Sequence, residues 1–290
     1  MDIKHGHPPP TIVGTTLDRS SQSSPLMSPS IPAESNDTLE LGSSIRIPPI
    51  DPSNPPPQLS NDPTFTSALS ATLARRRTQG GLNALDQTLL YSPVLTQGWN
   101  GLLGAVRTGC TLSDDLRELA ICRVAVLNRA KFEWIQHARL LKEAWIKRMK
   151  SDRSGIGGEG VIGLANAEAE LEKGADEVLR LVEQAPVHVL GTLAEYESAR
   201  LHWEDRGRKV ALDEKALAVL AYTDAMTRNV VVPEAIWRQL KDAFADEEER
   251  RDRLLVEITG TVAAYNCVSR FLVALDVAGM ERWDVETEAK

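Results

Sequence analysis

Residues 113–150 read SDDLRELAICRVAVLNRAKFEWIQHARLLKEAWIKRMK, and the fold turns on how this stretch is parsed. Ser113 is a good N-cap residue, and Asp114 and Asp115 put negative charge where a helix N-terminus favours it. Leu116, Leu119, Ala120, Cys122, Val124, Val126 and Leu127 then make a helix that is apolar on most sides. Such a helix belongs at the centre of a bundle, because a surface helix keeps a polar face. The pattern breaks at Asn128 and Arg129 and restarts as KFEWIQHARLLKEAWIKRMK, amphipathic with a basic end. The spacing predicts a helical hairpin whose arms lie about 8–10 Å apart.

Outward from the hairpin the same period continues. FTSALSATLARRR, residues 65–77, is helical until Gly80 and Gly81; a short helix fits 83–90, and another runs from Pro93, a favourable first-turn residue, to Gly109. Glycines at 155, 157, 158, 160 and 163 predict a flexible connector; no strand precedes them and no Lys-Ser/Thr follows, so they do not form a phosphate loop. Helices are expected near 165–184 and 188–205, after the Asp213 cap, after Pro233, and over 246–278. A faint likeness between 93–142 and 233–277 hints at duplication. Thirteen of the sixteen prolines fall within residues 1–63. The Ser/Pro/Thr-rich residues 1–45 cannot bury enough apolar surface to offset ordering entropy and are expected to be disordered. Residues 46–64, beginning RIPPIDPSNPPP, read either as an extended Pro-rich arm along the body or as more tail, with 65–290 the folded domain.

Composition agrees with an all-α class. Of 290 residues, 42% are hydrophobic but only 5% aromatic, so the core must be built from aliphatic side chains. A formal charge of −8 argues against nucleic acid as the main partner, since phosphate binding needs a basic surface. Cys110, Cys122 and Cys267 form neither a disulfide framework nor a Cys-based zinc pattern, and suit a reducing, cytoplasmic setting. No apolar run is read as reaching the 18 or so residues of a membrane span, and MDIKHGHPPP has no apolar leader segment.

Candidate chemistry lies with polar residues inside apolar helices, because their burial is costly without partners. Glu118 and His137 stand ten and nine residues from the Asn128 corner on opposite arms, so they can face one another. A carboxylate orienting an imidazole is a proton relay near neutral pH; it is equally a satisfied core pair. Glu133 shares the His137 face, with Trp134 alongside. Arg123 either binds a substrate carboxylate or pairs with Glu118 or an acidic surface residue. Glu257, Asn266 and Arg270 interrupt the last helix, with the structural reading favoured. No metal is expected: HExxH is absent, and His188 and His202 lie apart from Glu133 and His137.

Residues 82–144 resemble the carboxymuconolactone decarboxylase family, most specifically in SPVLTQGWN, LRELAICRVAVLNRA and FEWIQH. ALAVLAYTDAMTRNVVVPEAIW and AAYNCVSRFLVAL resemble it too, while residues 146–210 are least typical. The resemblance implies an alkylhydroperoxidase-D-like helical bundle, usually a trimer or hexamer with the site near a subunit contact. In the peroxidase branch a Glu precedes CxxCxxxH. Here the Glu falls on Glu118 and the His on His137, but the cysteine positions are Ala130 and Glu133, so a disulfide cycle cannot run. Gln136 stands where decarboxylase-like relatives often carry a second His.

These readings combine into an expectation of a cofactor-free, decarboxylase-like enzyme acting on an activated organic acid, either a muconolactone-type lactone acid or an aromatic polyketide acid. Glu118 and His137 would carry the proton relay, and Arg123, Glu133, Trp134 and Trp99 would line the substrate. An isomerase or cyclase using the same relay, and a non-catalytic oligomeric binding protein, are the alternatives.

Overall fold

The computed structural model describes residues 45–78, 80–154, 164–184 and 212–280. The tail expected over 1–45 (apart from Ile45), the glycine connector and the helix near 188–205 lie outside these residues. All regular structure described is helical. In chain order the helices are α1 (Pro57–Ser60), α2 (Pro63–Arg76), α3 (Ala84–Leu89), α4 (Pro93–Gly104), α5 (Asp114–Asn128), α6 (Lys131–Ser154), α7 (Leu164–Gln184), α8 (Glu214–Asn229), α9 (Glu234–Ala243) and α10 (Arg251–Leu275).

Helix α5 is the axis. Apart from Asp114, Val126 and Asn128 its residues are buried, and it packs against α6, α7, α8 and α10. It ends at Arg129, whose left-handed backbone (φ 56°, ψ 36°) turns the chain so that α6 starts two residues later. The amides of Arg129 and Ala130 bond back to Val126 and Ala125, the usual way a left-handed residue closes a helix C-terminus. The hairpin is therefore tight, and its short corner sets the register of α6 on α5.

Burying α5 buries charge. Arg123 has no exposed surface, and its Nε and Nη2 donate to the Oδ1 and Oδ2 of Asp224 on α8 at 2.6 and 2.8 Å. Its Nη1 donates to the Val182 carbonyl of α7 at 2.8 Å. At the other end of α5, Arg148 of α6 donates to Asp115 at 2.8 Å and also to Asp213, the N-cap of α8. One helix thus holds three neighbours through polar contacts as well as apolar ones.

Three boundaries differ from the sequence reading. The Pro-rich arm is shorter, since Pro57 opens a helical turn and Asp62 caps α2, accepting from the Thr64 amide; Ile50 is buried against a small cluster with Leu59, Phe65, Ala68 and Leu90. The last helix runs over Arg251–Leu275 rather than 246–278. Lys215 holds Asp246 and Glu247 in the preceding turn, and left-handed Asp276 (φ 46°) closes the other end. Helix α10 also has an 18-residue window of mean hydropathy near 1.3, long and apolar enough to cross a membrane, contrary to expectation. Half of that window is buried within the bundle, as for a core helix.

The Arg123–Asp224 pair yields a stability prediction. Asp224→Asn strands a fully buried guanidinium and should cost about 3–5 kcal/mol in denaturant unfolding, whereas the double change Arg123→Met with Asp224→Leu should recover most of it. A loss under about 1 kcal/mol for Asp224→Asn would contradict the account of α5.

Candidate functional site

Glu118 and His137 meet across the α5–α6 hairpin. The Nδ1–H of His137 donates to Glu118 Oε2 at 2.7 Å, and both side chains are almost wholly buried. Burial lowers the His137 pKa below its ordinary 6.5, a trend the hydrogen bond to Glu118 opposes without reversing. The imidazole is therefore neutral near pH 7, with its hydrogen on Nδ1 because a carboxylate can only accept. Nε2 then carries a lone pair and has no hydrogen-bond partner among the described residues.

Helix α10 supplies the other side. The Tyr265 ring meets the His137 ring edge-on, with centroids 5.1 Å apart and an interplanar angle of 85°. Its hydroxyl accepts from Arg107 Nε at 2.7 Å. Burial, together with the nearby carboxylates and against the pull of Arg107, pushes the Tyr265 phenol up to about 12, so it stays protonated. Arg107 is half-buried and lies in a π-helical turn, Ala105–Gly109, closed by the Cys110 amide on the Ala105 carbonyl at 3.0 Å. Such wide turns re-aim the side chains they carry and recur at functional sites. Sequence reading missed Arg107 because an unbroken helix through Gly109 gives it no special direction.

Glu133 lies one turn before His137 on α6 and is buried against α10, where Ser269 Oγ is 3.0 Å from both carboxyl oxygens. Desolvation raises its pKa well above 4.5, outweighing Ser269 and Arg107. Cys122, one turn beyond Glu118, has a thiol raised well above 9.0 by burial and by both glutamates. It is a protonated, enclosed group rather than a nucleophile.

Arg123 requires a correction. Five residues beyond Glu118, it points about 140° away around α5 and is committed to Asp224 and Val182, so it is not available to a substrate carboxylate. Asp224, the acid it needed, was signalled by a lone carboxylate in the apolar run ALAVLAYTDAM. Trp99 packs on Phe271 of α10 with ring centroids 5.1 Å apart, Trp134 is half-buried against the core, and Gln136 is exposed. Asn266 ties α10 to the C-terminal ends of α5 and α8, donating to Thr227 and accepting from Asn128, and also accepts from Arg270 on its own helix. Glu257 accepts from the Thr111 and Leu112 amides and from Arg253. These three residues of α10 are structural.

A cavity of about 230 Å³ opens at the N-terminal end of α5, between Asp115, Arg148, Lys215 and Phe244, and includes neither Glu118 nor His137. Its lysine and arginine charges are matched by Asp115, Asp213, Asp246 and Glu247. Among the described residues no three His, Cys, Asp or Glu side chains form a group able to hold a metal.

Glu133 has a measurable consequence. Its folded form keeps the proton to higher pH than the unfolded chain, so it contributes stability below about 4.5 that is lost as pH rises toward its raised pKa. Gln mimics the neutral acid without this loss. The Glu133→Gln variant should match the native protein near about pH 4 and exceed its Tm increasingly toward about pH 8. A difference in Tm independent of pH would refute a neutral Glu133.

The chain matches no family model, and comparison with curated proteins and with solved structures finds no similar protein.

Proposed function

We propose that the protein is a cofactor-independent, decarboxylase-like enzyme whose proton-transfer group is His137, oriented by Glu118, and whose substrate is an activated organic acid. The observation that carries this reading is the 2.7 Å contact from His137 Nδ1 to Glu118, which leaves Nε2 as a lone pair on a ring that meets Tyr265, itself bonded to Arg107. The resemblance of residues 82–144 to carboxymuconolactone decarboxylases supports it.

The chemistry needs little else. When a carboxylate sits beside a carbonyl or a vinylogous lactone, cleavage of its C–C bond releases CO₂ and leaves the electron pair delocalised onto oxygen as an enolate. One proton must then reach carbon. Nε2 takes it up from solvent, Glu118 stabilises the imidazolium so formed, and Nε2 returns it to the carbon that lost CO₂. The neutral resting imidazole suits this cycle, because it can accept and give back a proton near neutral pH.

The same proposal includes self-association as a trimer or hexamer. On α4, Val94 and Leu102 are 71% and 54% exposed, and Ile135, two residues from His137, is 47% exposed. Exposed apolar side chains of this size are ones that a neighbouring subunit would cover.

The test is CO₂ release from a panel of lactone acids and aromatic polyketide acids. His137→Ala should lose at least about 100-fold in kcat/KM, the usual scale for a general acid–base group, and Glu118→Gln should show a smaller loss. Full turnover by folded His137→Ala would sink the assignment. Conversion with product mass equal to substrate mass would instead make the relay that of an isomerase or cyclase.

A further inference from the structure

The hydrogen bonding around Arg107 points to a second component of the site. Most buried or half-buried arginines nearby are matched. Arg75 and Arg76 share Asp86 at 2.6 and 2.7 Å, and Arg117 pairs with Asp114 at 2.8 Å. Arg107 has only the Tyr265 hydroxyl, bound through Nε, and its guanidinium carbon lies 5.6 Å from the centroid of that ring. Its two terminal nitrogens make no hydrogen bond to the described residues. Arg75 is near enough for the two charges to repel, while Asp86 is already occupied by Arg75 and Arg76. Glu118 and Asp86 lie within electrostatic reach of Arg107 and favour its charge, but neither bonds it, so its unused N–H groups form a planar fork without a direct partner among the described residues.

Tyr265 ties that fork to the imidazole. It holds Arg107 through its hydroxyl and meets His137 through its ring edge, so the same side chain fixes both groups. Proton transfer at a carbon next to a carbonyl requires the carbonyl oxygen, where negative charge collects, to lie beside that carbon. A donor placed there stabilises the transition state more than the ground state. A cation clamped on the departing carboxylate would do the reverse, stabilising the charge that must leave.

Resting on the proton-transfer reading above, we infer that Arg107 receives the oxyanion that develops on the substrate's carbonyl, with Tyr265 as its positioning residue. The ligand class is a planar, conjugated oxyanion: the enolate of an acid whose carbonyl is β or vinylogous to the carboxylate. Arg107 would touch substrate, whereas Tyr265 acts through Arg107.

Equilibrium binding of p-nitrophenol tests this without turnover, because its phenolate is a planar conjugated oxyanion with its own absorbance. The full chain should bind the probe in ionised form and lower its pKa by about one unit or more, as an adjacent cation does. Arg107→Gln should weaken phenolate binding at least tenfold and abolish the pKa shift. If Arg107→Gln does not fold, Tyr265→Phe serves in its place; it should retain the fold while reducing the shift. Equal phenolate binding by native protein and a folded Arg107→Gln, or no ionised probe bound by the native protein, overturns the inference. Loss of CO₂ release in His137→Ala alongside such a result would leave the proton-transfer reading standing. Full turnover by His137→Ala with an intact phenolate site would remove that reading instead.

Discussion

Helix α5 must be buried on nearly every side while carrying Asp115, Arg117, Glu118 and Arg123, and this constraint organises the molecule. Apolar packing alone would let its neighbours slide. Three of these charges take specific partners from other elements: Arg148 and His137 from α6, Asp224 from α8, and a carbonyl of α7, while Arg117 pairs with Asp114 of α5 itself. A buried pair adds little net stability over a well-packed apolar one, but breaking it leaves a stranded charge that is heavily penalised. The charges on α5 therefore act mainly as registration points, selecting one arrangement of helices around the central one.

The candidate site is one of these registration points with an atom left over. The Arg123–Asp224 contact is saturated: both carboxylate oxygens and all three guanidinium nitrogens are engaged. The Glu118–His137 contact uses only Nδ1. The imidazole ring meets Tyr265 of α10, whose hydroxyl holds Arg107 of the π-helical turn. Orientation from Glu118, desolvation that keeps the imidazole neutral, and a nearby cation with unused N–H groups are what proton transfer to an enolate needs.

Much of the fold was legible because its signals are local. The start at Ser113, which takes the N-cap position without a side-chain capping bond, the mostly apolar run to Leu127 and the break at Arg129 define a hairpin without reference to the rest of the chain, and counting from that corner places Glu118 opposite His137. Other features depend on distant residues. Arg123 could not be assigned without Asp224, 101 positions away, although its angular separation from Glu118 on a regular helix already set it on another face. Arg107 was hidden by geometry: the wide turn at Ala105–Gly109 adds a residue to the helical repeat, so extrapolating a regular helix misdirects every side chain within it. The two ends of α10 were likewise set by Lys215 at its start and by the left-handed Asp276 at its close, neither of which periodicity reports.

The central claim is that Glu118 fixes His137 as a neutral imidazole with Nε2 free to exchange a proton. It is tested most directly by ¹⁵N-edited NMR of the His137 ring during a pH titration. The account predicts the Nδ1–H tautomer at neutral pH, a pKa below 6.5, and loss of the tautomer preference in Glu118→Gln. An Nε2–H tautomer, or a ring still protonated well above pH 6.5, would contradict it.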